Sequence, residues 1–425
     1  MSTFIITGQN ELNGAWRVQG FKNAATPCLA ATLLSREPST IRNIPRISDI
    51  HHMLEIIEDL GGRVRWKNEH TAEIHTPKIK KHEMDYLLTR RMRSSVLLMG
   101  PVLGALGKVR ISEPGGCNIG NRPLDAHFKG FEALGATVSR EQDGYYTITG
   151  DSLQGSEVVM IERSVTATEN VALAASTISG TTIIKNAACE PHIVCLCDML
   201  SRMGAEVSGA GTNEITIKGS DSLKGVDFEL IPDQIEIGTI AVLAALAGGE
   251  ITIAPVVPAH VAVVRAKLAE AGVLVSEQGD TWTVKGSRKS LSKFELTTAP
   301  HPGFPTDLQA PFGVLATQAQ GTSTIHDPMY ENRLGYIEKL VAMGAKADVL
   351  DSHSASITGP TPLSGGAFES LDLRAGATLI IAGLTAAGQT VINQAEIIDR
   401  GYERIDERLA ELGADITRVE DDQGV

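Results

Sequence analysis

Ala167–Ser179, Gly180-Thr181-Thr182-Ile183-Ile184 and Met203-Gly204-Ala205 are successive pieces of one pattern, and that pattern decides how the chain is read. The first piece is an Ala-rich run of helical character. The second opens on glycine and alternates β-branched residues, as a short strand does. The third ends a further helical stretch on the residue that a left-handed C-cap requires. The glycine turn returns as Leu60-Gly61-Gly62, Leu134-Gly135-Ala136, Ala271-Gly272-Val273, Met343-Gly344-Ala345 and Leu412-Gly413-Ala414. The strand returns as Ser39–Asn43, Gly107–Ile111, Gly249–Ile253, Gly321–Ile325 and Gly388–Ile392, and the Ala-rich helix again at Thr239–Ala247 and Ala375–Ala387. Six copies at a spacing of about 70 residues are too long for a solenoid repeat and suit a supersecondary unit of several elements. Each copy reads as helix, strand, loop, helix, strand, strand, which makes an α/β protein.

Composition narrows the function. At 425 residues the chain calls for two or three domains. A formal net charge of −13 argues against non-specific binding to nucleic acid or to an anionic membrane surface. No apolar run reaches the length of a membrane span, and Met1–Gly8 lacks the basic and apolar regions of a signal peptide, so none is expected. Five cysteines, an odd count without secretory context, predict reduced thiols and a cytoplasmic location.

One strand-to-helix loop stands apart. Glu113-Pro114-Gly115-Gly116-Cys117-Asn118-Ile119-Gly120-Asn121-Arg122-Pro123-Leu124-Asp125 sets a thiol between glycines, with an arginine five residues on. Alone it admits two readings, a glycine-rich turn with an incidental cysteine or a reactive thiol near cations. Its counterparts in the other copies are Ile44–Asp49, Asn186–His192, Ala254–Ala259, His326–Arg333 and Asn393–Arg400. Basic and polar residues gather at such loops and at helix starts: Lys22 and Asn23, Arg93, Arg122, Asp307, Arg333, Asp372 with Arg374, and Arg400. Arginines and a lysine at helix N-termini would make a phosphate site, with one Asp as general base. The competing readings are a capping role for Asp307 and surface ion pairs for the arginines. Cys189, His192, Cys195 and Cys197 lack the paired spacing of a structural zinc site, and the last two fall in the helix of the third copy, where buried thiols are ordinary.

Gly-Phe-Lys22-Asn23-Ala-Ala, Arg93-Ser-Ser, Pro-Gly-Gly-Cys117-Asn-Ile-Gly-Asn-Arg122-Pro, Phe-Pro-Thr-Asp307-Leu-Gln, Glu-Asn-Arg333, Asp372-Leu-Arg374-Ala-Gly-Ala and Asp-Arg400-Gly-Tyr-Glu-Arg-Ile occur in that order. Together they resemble the UDP-N-acetylglucosamine branch of the enolpyruvyl transferase family, from end to end. The resemblance implies a two-domain inside-out α/β barrel of six βαβαββ-type repeats, three per domain. It implies one domain from 1–21 plus 232–425, another from 22–231, and a double-linker hinge near 20–22 and 230–232. It further implies transfer of the enolpyruvyl group of phosphoenolpyruvate to the 3′-hydroxyl of UDP-N-acetylglucosamine, at the entry to peptidoglycan synthesis, by an enzyme needing no metal or organic cofactor.

By the same resemblance, Cys117 on a mobile lid is the proton donor and site of the phosphoenolpyruvate adduct, and Asp307 is the base. Lys22, Asn23, Arg122 and Arg400 would hold phosphoenolpyruvate. Arg93, Arg122, Pro123, Leu124, Asp125, Ala126, Ser164, Val165, Asp307 and Met329 would hold the nucleotide sugar, with Arg333, Asp372 and Arg374 in support. The sequence departs from the family at Glu162, Thr166, Gln234, Cys189 and His192, where Lys, Gly, Arg, Arg and Glu are common. These departures bear on the nucleotide side and on domain closure. Two alternatives stay open: a shikimate-3-phosphate-type enzyme on the same scaffold, and a silent sugar-nucleotide-binding paralogue. The oligomeric state is not fixed by the sequence.

Overall fold

The computed structural model describes residues 2–116, 120, 122–286, 288–370 and 372–420. Cys117 lies outside the described residues. The chain forms two compact units. The split unit joins the segment ending at Gln19 to the segment beginning at Pro232, and the inserted unit spans Gly20 to Gly116 and Arg122 to Ile231.

Among the described residues each unit carries three sheets. The third copy shows the plan. Strand Glu157–Val159 leads through helix Val165–Ala175 to Thr181–Lys185, which it meets in parallel. Helix Pro191–Met203 follows. The hairpin Glu206–Ser208 and Glu214–Lys218 then closes the sheet, its second strand antiparallel to Thr181–Lys185. The copy is therefore βαβαββ, one strand more than its sequence pattern indicates. That leading strand has only three residues, too few to show a period.

The copies also share strands across long sequence distances. Asp227–Glu229 is the parallel leading strand of the sheet holding Ser39–Arg42, and Gly14–Arg17 plays that part for Glu250–Ala254. Ser2–Thr7 lies antiparallel to both Gln389–Asn393 and Asp415–Glu420, so it completes the last copy. In the second copy a single bridge between Glu83 and Arg110 stands where the leading strand would pair.

Helices fill the interior of each unit. In the split unit every residue of Gln234–Ala247, Gln309–Gln318 and Leu373–Thr385 is buried, and the three pack on one another. A helix enclosed on all sides needs apolar or small residues all round, not one stripe, hence the Ala-rich sequence. The inserted unit centres likewise on Lys22–Ala31, Met99–Leu106 and Val165–Ala175. The sheets lie outside, and their strands bury alternate residues, as in Thr181–Lys185. Among the described residues no sheet closes on itself.

Glycine is needed where the pattern put it. All six turn glycines, from Gly61 at φ 112° to Gly413 at φ 98°, hold positive φ, which Cβ-bearing residues resist. Helix Lys22–Ala31 carries Pro27 in its second turn. Among the described residues no helix is long and apolar enough to cross a membrane.

Candidate active site

Many of the sequence-predicted residues sit at the starts of the buried helices, and the two units load those starts with opposite charge. In the inserted unit Lys22 is the first residue of its helix, Arg93 opens the 3-10 turn Arg93–Leu98, and Ser164 caps Val165–Ala175 by accepting from Ala167 N. Helix N-termini favour anions, and added cations strengthen that preference. Lys22 is buried against Asp49, 2.6 Å from Nζ to Oδ2. A buried pair of this kind holds the lysine in one place. Asn23, next in the helix, is half-buried.

Arg93 donates through Nη2 to the carbonyl of Arg122, which fixes the chain just before helix Asp125–Ala133. Arg122 is half-buried, Pro123 and Asp125 are exposed, and Leu124 and Ala126 are buried. His127, which the sequence reading passed over, ties this helix start to that of Val165–Ala175. Its Nε2 is 3.1 Å from Thr166 Oγ1 and its Nδ1 is 2.9 Å from Asn170 Nδ2. Burial, aided by Arg93 and Arg122, lowers His127 to about 3, so the ring is neutral. Helix Met99–Leu106 comes close enough to join in because Gly100 has no side chain. A Cβ there would lie 2.4 Å from the carbonyl oxygen of Asn170.

In the split unit, aspartates occupy the three helix starts. Asp233 caps Gln234–Ala247 and Asp372 caps Leu373–Thr385. Asp307 sits in the 3-10 turn Thr306–Leu308 that leads into Gln309–Gln318. It does not cap. Its Oδ1 accepts from Arg333 Nη2 at 2.8 Å, and its Oδ2 lies 3.3 Å from both Nε and Nη2 of Arg374. These are not surface ion pairs, since the Arg333 and Arg374 side chains are 10% and 5% exposed. Among the described residues, Arg374 Nη1 and Arg333 Nε have no hydrogen-bond partner.

Arg374 also stacks toward the Tyr402 ring, 5.4 Å away, and the Tyr402 hydroxyl is 3.0 Å from Thr239 Oγ1. Burial alone would lower the guanidinium, but Tyr402, Asp307 and Asp233 outweigh it and hold Arg374 above its ordinary value. Buried Asp327 accepts from Thr306 at 2.5 Å and from Met329 N at 2.9 Å, so one carboxylate places both the Asp307 turn and Met329. Met329 is 38% exposed, and Arg400 ends the 3-10 turn Ala395–Arg400. Asp233, Asp327, Tyr402 and His127 were not singled out from the sequence. Their signal was a lone Asp before a helix or a polar residue in an apolar run, a pattern shared with ordinary caps and core residues.

Asp233 has a pH signature. Burial pushes it to about 7 against the pull of Arg374, from an ordinary value of 3.8. Between these values the native state keeps a proton that the unfolded chain releases. The Asp233 contribution to stability therefore falls as pH rises from about 4 to about 7, by up to about 1.4 kcal/mol per pH unit. Asn caps a helix as well as Asp, so Asp233→Asn removes only the charge. Urea unfolding at pH 4.5 and pH 7.5 is expected to show the variant gaining on wild type at the higher pH. An equal difference at both values would remove the assignment.

Cys195 and Cys197 are buried in helix Pro191–Met203. Among the described residues they do not gather with Cys189 and His192 into a metal-ligating set.

Comparison with known proteins gives the class. Residues 6–409 match the EPSP synthase (3-phosphoshikimate 1-carboxyvinyltransferase) family, and the chain belongs to this family of enolpyruvyl transferases. Two relatives are each named UDP-N-acetylglucosamine 1-carboxyvinyltransferase. That from Desulfatibacillum aliphaticivorans is 44% identical over 99% of this chain and 100% of its own. That from Sorangium cellulosum is 44% identical over 100% of both. The solved enolpyruvyl transferase NikO from Streptomyces tendae superposes with a TM-score of 0.90 at 26% identity, covering 98% of this chain and 99% of its own. EPSP synthase from Acinetobacter baumannii, at 19% identity and TM-score 0.76 over 99% of this chain and 100% of its own, shares the fold.

Proposed function

We propose that this chain transfers the enolpyruvyl group of phosphoenolpyruvate to the 3′-hydroxyl of UDP-N-acetylglucosamine and releases phosphate. End-to-end similarity to the relatives bearing that name supports the acceptor. The observation that carries the chemistry is Asp307, a carboxylate gripped by two buried guanidiniums at a helix start.

Cys117 delivers a proton to the vinyl carbon of phosphoenolpyruvate while Asp307 takes the proton of the sugar hydroxyl, which bonds to the neighbouring carbon. The resulting tetrahedral intermediate then loses phosphate and one methyl proton, restoring the double bond. Lys22, Asn23, Arg122 and Arg400 hold the phosphate and carboxylate of phosphoenolpyruvate. Arg93, the Arg122–Ala126 run, Ser164, Val165 and Met329 hold the nucleotide sugar. Arg333, Asp372 and Arg374 keep Asp307 in position. Linkers near 20–22 and 230–232 serve as the hinge, with the glycines around Cys117 freeing a lid. The reaction belongs in the cytoplasm, at the start of peptidoglycan synthesis and so of cell growth and division. Fosfomycin would alkylate Cys117. The reaction requires no metal or organic cofactor.

Phosphate release from phosphoenolpyruvate with UDP-N-acetylglucosamine tests this directly. Cys117→Ala is expected to lower the rate about a hundredfold or more. Release with shikimate 3-phosphate but not with the nucleotide sugar would overturn the acceptor, and binding without turnover would point to a silent paralogue. A fosfomycin mass adduct is expected on Cys117 alone.

A further inference from the structure

Thr166 is a departure from the family pattern, and its surroundings give it a role. It is the second residue of helix Val165–Ala175 and is half-buried. Its hydroxyl makes one hydrogen bond among the described residues, to His127 Nε2. The direction of that bond follows from the groups behind it. Asn170 Oδ1 accepts from Gly100 N at 2.7 Å, which fixes the amide orientation. Asn170 Nδ2 then donates to Val96 O at 2.9 Å and, with its second hydrogen, to His127 Nδ1 at 2.9 Å. A neutral imidazole that accepts at Nδ1 carries its proton on Nε2. His127 therefore donates to Thr166 Oγ1, and the threonine's own hydroxyl hydrogen remains to be donated outward.

What it meets there follows from charge. The hydroxyl sits in the first turn of a helix, beside the start of a second, and Arg93 and Arg122 act on the same histidine. The two arginines that add to burial in keeping a proton off His127 also favour an anion at this spot. We infer that the Thr166 hydroxyl donates a hydrogen bond to a phosphate oxygen of the nucleotide substrate, oriented by the Gly100–Asn170–His127 chain. This contact rests on the proposed nucleotide-sugar acceptor, and a glycine at this position could not make it.

Isothermal titration of UDP-N-acetylglucosamine and of UDP, without phosphoenolpyruvate, provides the test. Thr166→Val keeps the shape and is expected to weaken both ligands about ten- to a hundredfold, the range for a hydrogen bond to a charged group. Thr166→Ser is expected to restore both to within about threefold of wild type. Thr166→Gly, which lets water reach His127 Nε2, should show the loss of the valine variant and guards against a folding defect in it. Equal binding by wild type and both hydroxyl-less variants overturns the inference alone. A loss for the nucleotide sugar but not for UDP overturns the phosphate contact. If wild type binds neither ligand, the acceptor proposal falls with it.

Discussion

Asp307→Asn is expected to lower kcat by about two to four orders of magnitude while UDP-N-acetylglucosamine still binds within about tenfold of wild type. The range is that for removing a positioned general base. Asn matches Asp in shape, so the helix start at Thr306–Leu308 and its anchor on Asp327 stay in place. An amide, however, cannot take the hydroxyl proton. It also offers one acceptor atom where the carboxylate serves Arg333 through Oδ1 and Arg374 through Oδ2. Turning the amide nitrogen toward either guanidinium sets donor against donor, so some loss of stability accompanies the loss of rate. Single-turnover phosphate release separates the two if it is measured below the onset of unfolding with the variant saturated. A kcat within tenfold of wild type would show that Asp307 is structural.

The sequence shows the architecture wherever a side-chain pattern repeats. All six glycine turns and all six central strands could be read, because a left-handed cap demands glycine and a half-buried strand demands alternation. The three-residue leading strands, such as Glu157–Val159 and Asp227–Glu229, could not. They are defined by whom they pair with, and their partners lie up to most of a domain away in sequence. The strand sharing that sends Ser2–Thr7 to complete the last copy was hidden for the same reason.

At the site, the charged residues showed themselves by type and place. Their meaning did not. Asp307 and Asp372 look alike in sequence, each an Asp at the start of an apolar helix. One caps its helix, and the other turns away to two arginines. The difference is made by Arg333 and Arg374, which come from separate copies. His127 is a clearer case, because nothing near it in the chain predicts that Asn170 and Thr166 will fix its tautomer.

Arg374→Met is expected to be the most destabilising of these changes, at about 3–5 kcal/mol, the cost of breaking a buried ion pair from one side. At about 2–4 °C per kcal/mol for a unit of this size, that lowers Tm by roughly 10 °C. Met fills much of the volume of an arginine stem, so the loss is electrostatic more than steric. Two carboxylates depend on this guanidinium, and they respond differently. Asp233 already sits near 7 and can neutralise itself by taking a proton when the cation goes. Asp307 lies against a second arginine, so it keeps its charge and bears most of the penalty. Double-mutant cycles separate the two. Asp307→Asn on the Arg374→Met background should recover more stability than Asp233→Asn on the same background. The gap should narrow above pH 7, where an ionised Asp233 also costs stability and Asp233→Asn recovers more. A loss below about 1 kcal/mol for Arg374→Met, within the range of a surface pair, would mean that Arg374 does not hold Asp307 in place.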